Sequence, residues 1–341
     1  MSRSQALRNY IFVRLLLAPL MIWAIVTLVF LLLRATPGDP ADAILGSRAP
    51  AEAKEALREQ LGLNAPLLVQ YLRYLGDLLH LDLGSSLASR GLAVTDVITQ
   101  HFPATAELAL GAIAIAIGIG GTLGAIAAAR SGTAVELGGR LFGTVTYALP
   151  MFWAGMVMQL VFGVQLRWFP LGTRLPVGQT APPQITGLYA IDSLLSGNFE
   201  QFFAVLHHLV LPCFTLGLLL SGIFERIVRV NLKQTLQADY VEAARARGIP
   251  EGRILLAHAL KNAMIPVVTV MGLTFSSLLG GAVLTEVTFS WPGLGNRLYE
   301  AISLRDYPTV QGIMVFFGAI VVMASIAIDI INAWIDPRIR Y

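Results

Sequence analysis

The chain has 341 residues, of which 55% are hydrophobic and only 13% are charged, with a formal net charge of +3. Soluble domains carry about 25% charged residues, so this composition excludes an ordinary soluble enzyme or binding domain and predicts an integral membrane protein. The basic balance does not indicate nucleic acid as a partner, because no stretch interleaves basic and aromatic residues as a nucleic-acid groove does.

Six apolar segments are long enough to cross a bilayer, whose hydrocarbon core requires about 20 apolar residues. They predict an all-α integral membrane protein with six transmembrane helices. The fourth segment is interrupted by His207, His208 and Pro212, which leaves its uninterrupted apolar part short. In chain order the predicted spans are Leu15–Leu33, Leu108–Ala129, Leu141–Leu166, Phe202–Phe224, Ala263–Thr285 and Val310–Ile328.

Residues 1–34 contain the N-terminal tail and the first span. Basic residues precede the apolar run, as they do in a signal peptide. The run to Leu33 nevertheless holds 19 residues without a charge, whereas the apolar core of a signal peptide has about 7–15 residues. We therefore expect a retained transmembrane helix.

Residues 35–101 form a predicted extracytoplasmic loop with interfacial helices. A polar helix is expected over Pro50–Gln60, closed by Gly62. After Pro66, apolar residues recur at helical spacing on one face, which is typical of a helix lying in the membrane interface. This stripe consists of Leu68, Tyr71, Leu72, Leu75, Leu78 and Leu79.

The placement of lysine and arginine predicts the orientation, because basic residues concentrate on the cytoplasmic side of membrane proteins. With a cytoplasmic N-terminus, 14 of the 24 basic residues and 7 of the 21 acidic residues face the cytoplasm. Both termini of the multi-pass chain are then cytoplasmic. The segment of residues 167–201, rich in proline and glycine, is expected to form an irregular cap over the outer mouth.

A charged stretch lies between the fourth and fifth spans. Asp239 and Glu242 have the spacing of a capping box, which predicts a helix start. Gly248 is expected to end this helix, and Pro250 suits the first position of the next one. Such a loop either packs on its own bundle or docks a partner, and small residues such as Ala243 allow another surface to approach the backbone closely.

Small residues dominate several helix faces, including the Gly120–Gly124 pair in the second span. Such faces either pack helices tightly in lipid or line a transport path. Polar residues within the spans also have two interpretations, as pore-lining residues or as interhelical hydrogen-bond partners. They are Gln159, Gln165, Thr269 and Ser276.

Patterns that carry catalytic chemistry are few. No GxxxxGK[ST] phosphate-binding loop is present, so an ATP-driven process needs a separate ATPase. The ionisable residues near the spans lie close to span ends, which argues against an ion-gradient-driven transporter. His207 and His208 are adjacent and point about 100° apart on a helix, so they do not predict a metal site.

The string Glu242-Ala-Ala followed by Gly248, His258, Lys261-Asn262 and Pro266 resembles the EAA signature of the membrane subunits of binding-protein-dependent ABC importers. In that family this segment is the coupling helix, which sits in a groove of the ATPase subunit. The resemblance implies a type I ABC importer permease fold.

Other segments are similar to the first, or B-type, permease subunit of dipeptide/oligopeptide importers. By this resemblance residues 102–341 form a five-helix core that includes a cytoplasmic coupling loop, residues 232–262, and the extracytoplasmic loop of residues 167–201. The similar segments are Thr36-Pro-Gly-Asp-Pro40, Leu61-Gly-Leu63, Asp82-Leu-Gly-Ser85, Phe289-Ser-Trp-Pro-Gly-Leu-Gly295, Arg305-Asp-Tyr-Pro308 and Asp336-Pro-Arg-Ile-Arg-Tyr341.

The resemblance further implies that the chain is not an enzyme but forms half of a translocation path for di- or oligopeptides in the bacterial inner membrane. Implied partners are a homologous second permease, two cytoplasmic ATPases that hold ATP and Mg²⁺, and a solute-binding protein, with no cofactor on this chain. Open alternatives are an ion-gradient-driven transporter, a membrane scaffold, or a related permease for nickel chelates, glutathione or another small solute. The implied coupling residues are Asp239, Glu242, Ala243, Ala244, Arg245, Arg247, Gly248 and Arg253.

Overall fold

The computed structural model describes residues 3–335 apart from 37, 39, 47, 61, 90 and 281. Two π-helical segments, Gln159–Gln165 and Ile254–Ala259, continue α7 and α11. The α-helices of the described chain are α1 (Arg3–Ala35), α2 (Pro40–Leu45), α3 (Ala51–Gln60), α4 (Leu67–Leu79), α5 (Val94–Ala129), α6 (Ala134–Ala148), α7 (Met151–Met158), α8 (Tyr189–Leu195), α9 (Phe199–Leu236), α10 (Asp239–Ala246), α11 (Glu251–Arg253), α12 (Leu260–Leu279), α13 (Val283–Thr288), α14 (Leu294–Ser303) and α15 (Tyr307–Ile335).

The predicted all-α membrane architecture is confirmed. Over the described residues, α1, α5, α9 and α15 are each long and apolar enough to cross a membrane. Two bent pairs, Ala134–Ala148 with Met151–Gln165 and Glu251–Met264 with Pro266–Leu279, raise the number of spans to six if each pair counts as one. The last motif noted in the sequence, residues 336–341, lies outside the described residues.

Helices α5 and α9 pack together at the centre of the bundle and run parallel. The Cys213 thiol donates a hydrogen bond to the Leu108 carbonyl at 3.5 Å, and further along Gly124 lies against Glu225. A Cβ atom at Gly124 would lie 2.6 Å from the Glu225 carbonyl oxygen, so only glycine allows the two backbones to approach this closely. The Gly120–Gly124 pair therefore packs helices.

The predicted third span, Leu141–Leu166, is not one straight helix but a bent pair of helices. Helix α6 ends at Ala148, α7 begins at Met151, and their axes differ by 99°. Pro150 lies between them and disfavours the helical conformation at the residue before it, which is extended here. The number of apolar residues in this segment therefore indicates that it is long enough to cross the membrane, but not that it is straight.

The predicted fourth span is part of α9, which extends it at both ends and accommodates Pro212. Within the apolar window of α9, 56% of the residues are buried, against 17% in α1. The predicted fifth span, Ala263–Thr285, is wrong at its C-terminal end, because α12 stops at Leu279 and α13 is separate. Gly280 caps α12, and the backbone freedom of glycine makes continuation of the helix unfavourable there.

Helix α1 lies at the edge of the bundle, antiparallel to α15. Arg14 pairs with Asp329 at 3.1 Å near one end, and Arg34 lies 5.3 Å from the Tyr307 ring near the other. Helices α10 and α11 follow the C-terminal end of α9 at the first of these ends. We call that end of the bundle the coupling end and the opposite end the distal end.

Three short helices follow α1 at the distal end, and two of them, α3 and α4, are expected from the sequence. The polar helix expected over Pro50–Gln60 is α3. Helix α4 carries the apolar stripe, and Leu68 and Leu72 on it are exposed, as expected of a helix in the membrane interface. Tyr71 of the stripe packs on α1 instead, where its hydroxyl and the Thr27 hydroxyl share a 2.6 Å hydrogen bond.

Candidate coupling site and its structural supports

Helix α10 is the first element of the predicted coupling loop. Its N-cap is Ala238, which has no side-chain oxygen for a cap hydrogen bond, so the predicted capping box of Asp239 and Glu242 is wrong. A turn sets the helix start instead, since the Ala238 N–H donates to the Thr235 carbonyl at 3.1 Å. Both carboxylates still lie in the first turn, where they complement the helix dipole.

Gly248 ends α10 through a geometry that glycine favours. Its φ is +72°. Its N–H donates to the Arg245 carbonyl at 2.9 Å, and the Ile249 N–H donates to the Ala244 carbonyl at 3.2 Å. These two bonds form a Schellman motif, which places a left-handed residue after the helix. Among the described atoms, none lies within 4 Å of where a Cβ of residue 248 would be, so the turn is open on its outer side.

Arg245 bridges this turn. Its guanidinium donates to both carboxylate oxygens of Glu251, at 2.7 and 3.3 Å, and the hydrogen bond from Arg245 to Glu251 raises the pKa of Arg245. Pro250 is the N-cap of α11 and not its first residue, one position from the prediction. Arg245 therefore fixes the angle between α10 and α11 in addition to presenting charge at the surface.

The loop has an inward face and an outward face. Val241, Ala244 and Ile254 form a small buried cluster. Ala244, a predicted docking residue, is 8% exposed and packs inward. The other predicted coupling residues are exposed on the outward side, namely Asp239, Glu242, Ala243, Arg245, Arg247, Gly248 and Arg253.

Contacts on both sides tie the loop to the bundle. The Asn262 side-chain amide of α12 donates to the Tyr240 hydroxyl of α10 at 2.9 Å. Leu232 of α9 packs with Ala259 and Ala263 in a second buried cluster next to α5. A force applied to the outward face is therefore transmitted to α9 and α12, because no loose linker intervenes to absorb it.

A buried ion pair in α9 shows that one sequence-based prediction is wrong, namely that ionisable residues lie only near span ends. Glu225 has no exposed surface and accepts a hydrogen bond from Arg229 at 2.7 Å. The predicted span stopped at Phe224, whereas α9 continues to Leu236. The signal was present in the sequence, since an acid four residues before a base is the spacing of a helical ion pair.

Glu225 borders a groove between α6 and α9 with a volume of about 860 Å³. Arg140, Tyr147 and Arg226 also line this groove. One Glu225 oxygen, Oε2, has no hydrogen-bond partner among the described residues, and a Cβ atom at Gly143 would lie 2.8 Å from it. The groove combines charge, volume and a glycine surface, which are properties of a path lining.

The four polar span residues predicted as path candidates occupy different environments. Gln159 donates to two backbone carbonyls, at 2.6 and 3.0 Å. Ser276 donates to the carbonyl four residues earlier in α12, at 2.8 Å, and is buried. The Gln159 bond to Thr288 joins two helices, as the second interpretation predicts, whereas the Ser276 bond stays within α12 and fits neither interpretation. Gln165 is exposed and Thr269 is half-buried.

Asp306, in the family-like segment Arg305–Pro308, contacts the residues that directly follow another such segment, Asp82–Ser85. Its buried carboxylate accepts hydrogen bonds from the Ser86 hydroxyl at 2.5 Å and from the Thr309 hydroxyl at 2.8 Å. The backbone N–H groups of Leu87 and Ala88 add two more, at 3.1 and 3.3 Å. The distal loop after α4 is thereby attached to the start of α15.

Another family-like segment, Phe289–Gly295, wraps around the buried carboxylate of Glu286. The Thr105 hydroxyl donates to Glu286 at 2.7 Å and the Asn296 N–H at 2.8 Å. Burial raises the pKa of Glu286 to about 7 against the lowering effect of these hydrogen bonds. A Cβ atom at Gly293 would collide with the carboxylate, which explains the glycine in this segment.

The segment of residues 167–201 is irregular apart from α8 and the first residues of α9, as its proline and glycine content predicts. Arg174 anchors it to α5 through a buried pair with Glu107 at 2.6 Å and lies 3.5 Å from the Tyr189 ring centre. Burial raises the pKa of Asp192, but the hydrogen bonds from Thr186 and neighbouring N–H groups together lower it by more. The pKa of Asp192 therefore lies below its usual value.

Two family models match the chain over most of its length. One, described as "Binding-protein-dependent transport system inner membrane component", matches residues 120–341. The other, described as "Binding-prot-dependent transport system membrane comp, N-term", matches residues 7–109.

Curated relatives align over nearly their whole length. The "Probable D,D-dipeptide transport system permease protein DdpB" of Escherichia coli (strain K12) is 40% identical over 94% of this chain and 94% of its own. The di/tripeptide transport system permease protein DppB of Pseudomonas aeruginosa (strain UCBPP-PA14) is 40% identical over 94% and 95%. The oligopeptide transport system permease protein AppB of Bacillus subtilis (strain 168) is 33% identical over 97% and 99%. The chain therefore belongs to the family of binding-protein-dependent transport system inner membrane components.

Proposed function

We propose that this chain is the first, B-type permease subunit of an ATP-driven importer of di- or oligopeptides. As a member of its family it is a non-enzymatic permease of the inner membrane that works with ATPase and binding-protein subunits. The observation that carries the proposal is the outward face of α10 and the Gly248 turn, which is exposed and braced from behind by fixed contacts.

Docking of an ATPase uses this outward face. Ala243 and Gly248 leave room for the partner backbone, and Arg247 and Arg253 offer unobstructed charge. Glu242 adds a carboxylate in the first turn of α10. Movement of the docked ATPase then displaces α9 and α12 together.

The assembly that fits this surface has one homologous second permease and two cytoplasmic ATPases, which hold ATP and Mg²⁺, with no cofactor on this chain. The coupling end and both termini are cytoplasmic, which agrees with the excess of lysine and arginine there. The distal end, with its anchored outer loops, then faces the solute-binding protein.

Peptides are the proposed substrate class because the relatives that align end to end are described as dipeptide, di/tripeptide or oligopeptide permeases. The groove beside Glu225 supports this proposal, since Arg140, Arg226 and Arg229 line it and suit the carboxylate of a peptide. In competition experiments on uptake of a labelled dipeptide, unlabelled peptides should compete, whereas nickel chelates and glutathione should not.

Replacing Ala243 with tryptophan tests the docking role. The residue is exposed in the middle of α10, so the larger side chain does not disturb the fold but obstructs the partner. We expect Ala243→Trp to insert and melt like the wild type, and to lose peptide uptake and binding-protein-stimulated ATP hydrolysis in proteoliposomes that contain the full complex.

Ala53→Trp is the matched control, because Ala53 is exposed on helix α3 at the distal end. It should leave both activities unchanged. Wild-type uptake by Ala243→Trp would contradict the proposed docking face.

A further inference from the structure

A pocket at the distal end is separate from the outward face of α10 and from the groove at Glu225. It lies between the end of α1, α4 and the start of α15 and encloses about 240 Å³. The loop of residues 82–87 closes one side.

Three polar atoms of the pocket-lining residues have no hydrogen-bond partner among the described residues. They are Arg34 Nη1, the Tyr74 hydroxyl and Gln311 Nε2. Gln311 is only 7% exposed, and about 90% or more of buried polar groups in folded proteins are paired. Burial raises the pKa of Tyr74, so its phenol keeps the proton that it can donate. Three unpaired donors at one pocket indicate a ligand with anionic oxygens.

The guanidinium of Arg34 is held in place before any ligand binds. Its Nε donates to the Gln70 side-chain oxygen at 2.8 Å. Its carbon lies 5.0 Å from the Phe30 ring centre and 5.3 Å from that of Tyr307. Such fixed geometry lowers the entropic cost of binding.

The rim of the pocket carries charges of both signs, from the exposed Arg73 and from two carboxylates. Asp77 and Asp82 line it and are exposed, and one Asp82 oxygen accepts the Gly84 N–H at 2.8 Å. Donors inside and carboxylates at the rim fit a zwitterion whose anionic group enters first and whose ammonium group stays outside. Phosphoethanolamine, the headgroup of an abundant class of phospholipid, has this order of charges.

Apolar surface beside the pocket is positioned for acyl chains. The apolar window of α1 is only 17% buried, and Leu28, Leu31 and Leu32 of α1 are exposed close to Arg34. Leu68 and Leu72 of α4 are exposed as well. We propose that this pocket binds the phosphoethanolamine headgroup of a phospholipid in the leaflet at the distal end, and thereby fixes α4 to α1 and α15.

The test is a thermal-melting titration of the full chain purified in mild detergent. The probes are short-chain phosphatidylethanolamine, phosphatidylcholine, phosphatidylglycerol, inorganic phosphate and dialanine. We expect phosphatidylethanolamine to raise the melting temperature at the lowest concentration, because only this lipid joins a phosphate to a primary ammonium. Equal responses to the three lipids would overturn the headgroup assignment. A response to dialanine or phosphate equal to that of phosphatidylethanolamine would overturn the lipid as the source.

Gln311→Leu removes one inner donor without adding bulk. We expect it to weaken phosphatidylethanolamine binding about tenfold, which corresponds to about 1.4 kcal/mol. Gln234→Leu is the control, since Gln234 is exposed at the coupling end, and it should not change the titration. If Gln311→Leu raises the melting temperature without lipid and leaves the lipid response intact, the pocket holds only water and the proposal is wrong.

Discussion

Substitution of Gly248 tests the coupling surface sharply because backbone strain and side-chain bulk can be varied separately there. The φ of +72° is left-handed, a conformation that costs an L-residue about 1–2 kcal/mol. No described atom lies within 4 Å of the Cβ position, so added side chains meet no clash within the chain. Gly248→Ala and Gly248→Trp should therefore lower the free energy of unfolding by the same amount, about 1–2 kcal/mol. Gly248→Asn should lower it less, because asparagine tolerates this region.

That loss leaves the permease folded, since domains have free energies of unfolding of about 5–15 kcal/mol. The effect on docking should differ among the variants. Alanine adds one methyl group to the outward face, whereas tryptophan projects an indole ring into the space of the partner. We expect Gly248→Ala and Gly248→Asn to keep most of the peptide uptake, and Gly248→Trp to lose it at least about tenfold, equivalent to about 1.4 kcal/mol of coupling.

The assay measures ATP hydrolysis and labelled-peptide uptake in proteoliposomes that contain all subunits, with melting temperature as the measure of folding. Hydrolysis that persists without uptake would identify uncoupling. If Gly248→Ala loses as much peptide uptake as Gly248→Trp, coupling depends on the backbone conformation of the turn and not on its open surface. Wild-type coupling by Gly248→Trp would refute docking at this turn.

Three further predictions concern the buried carboxylates. Asp306→Ala should lower the melting temperature strongly and expose the distal loop to proteolysis, because at least two hydroxyl donors lose a charged acceptor, at about 1.5–3 kcal/mol each; Asp96→Ala, at an exposed site, is the control. Because burial raises the pKa of Glu286 from 4.5 to about 7, its contribution to stability is fully present below about pH 4.5 and is lost as the pH rises through about 7. Melting temperatures between pH 5 and 8 should thus fall more steeply in the wild type than in Glu286→Gln, and parallel slopes would contradict this. Glu225→Leu should reduce peptide uptake while leaving ATPase binding in co-purification intact, and a loss of ATPase binding would place Glu225 in docking instead.

Local chemistry explains what the sequence predicts well. The end of α10 depends on a glycine that can adopt a left-handed conformation, and that property is visible in one residue. The membrane class follows from composition alone. The bend of α6 and α7 was missed although Pro150 is visible, because counting apolar residues measures the length of a segment and not its direction.

Contacts between distant parts of the chain explain what the sequence does not predict. Ala243 and Ala244 are adjacent and chemically identical, and only the packing of Ile254 decides that Ala244 is buried. Ser86 meets Asp306 across 220 positions of sequence. Periodicity along one helix holds no information about this second contact.

The geometry of α9 links the coupling face to the groove at Glu225. The helix runs unbroken from Phe199 to Leu236, so Glu225 lies about 16 Å along the axis from its last residue at 1.5 Å per residue. A continuous helix does not compress, and a displacement of α10 therefore moves Glu225 by a similar amount. Beside the groove, α6 places Gly139 and Gly143 against this carboxylate, and Thr146 of α6 lies against Gly222 of α9. Lys233 of α9 also pairs with Glu136 of α6 at 3.3 Å. Because these contacts join the two helices, we expect a displacement of α9 to carry α6 with it, so that the groove moves together with the outward face of α10.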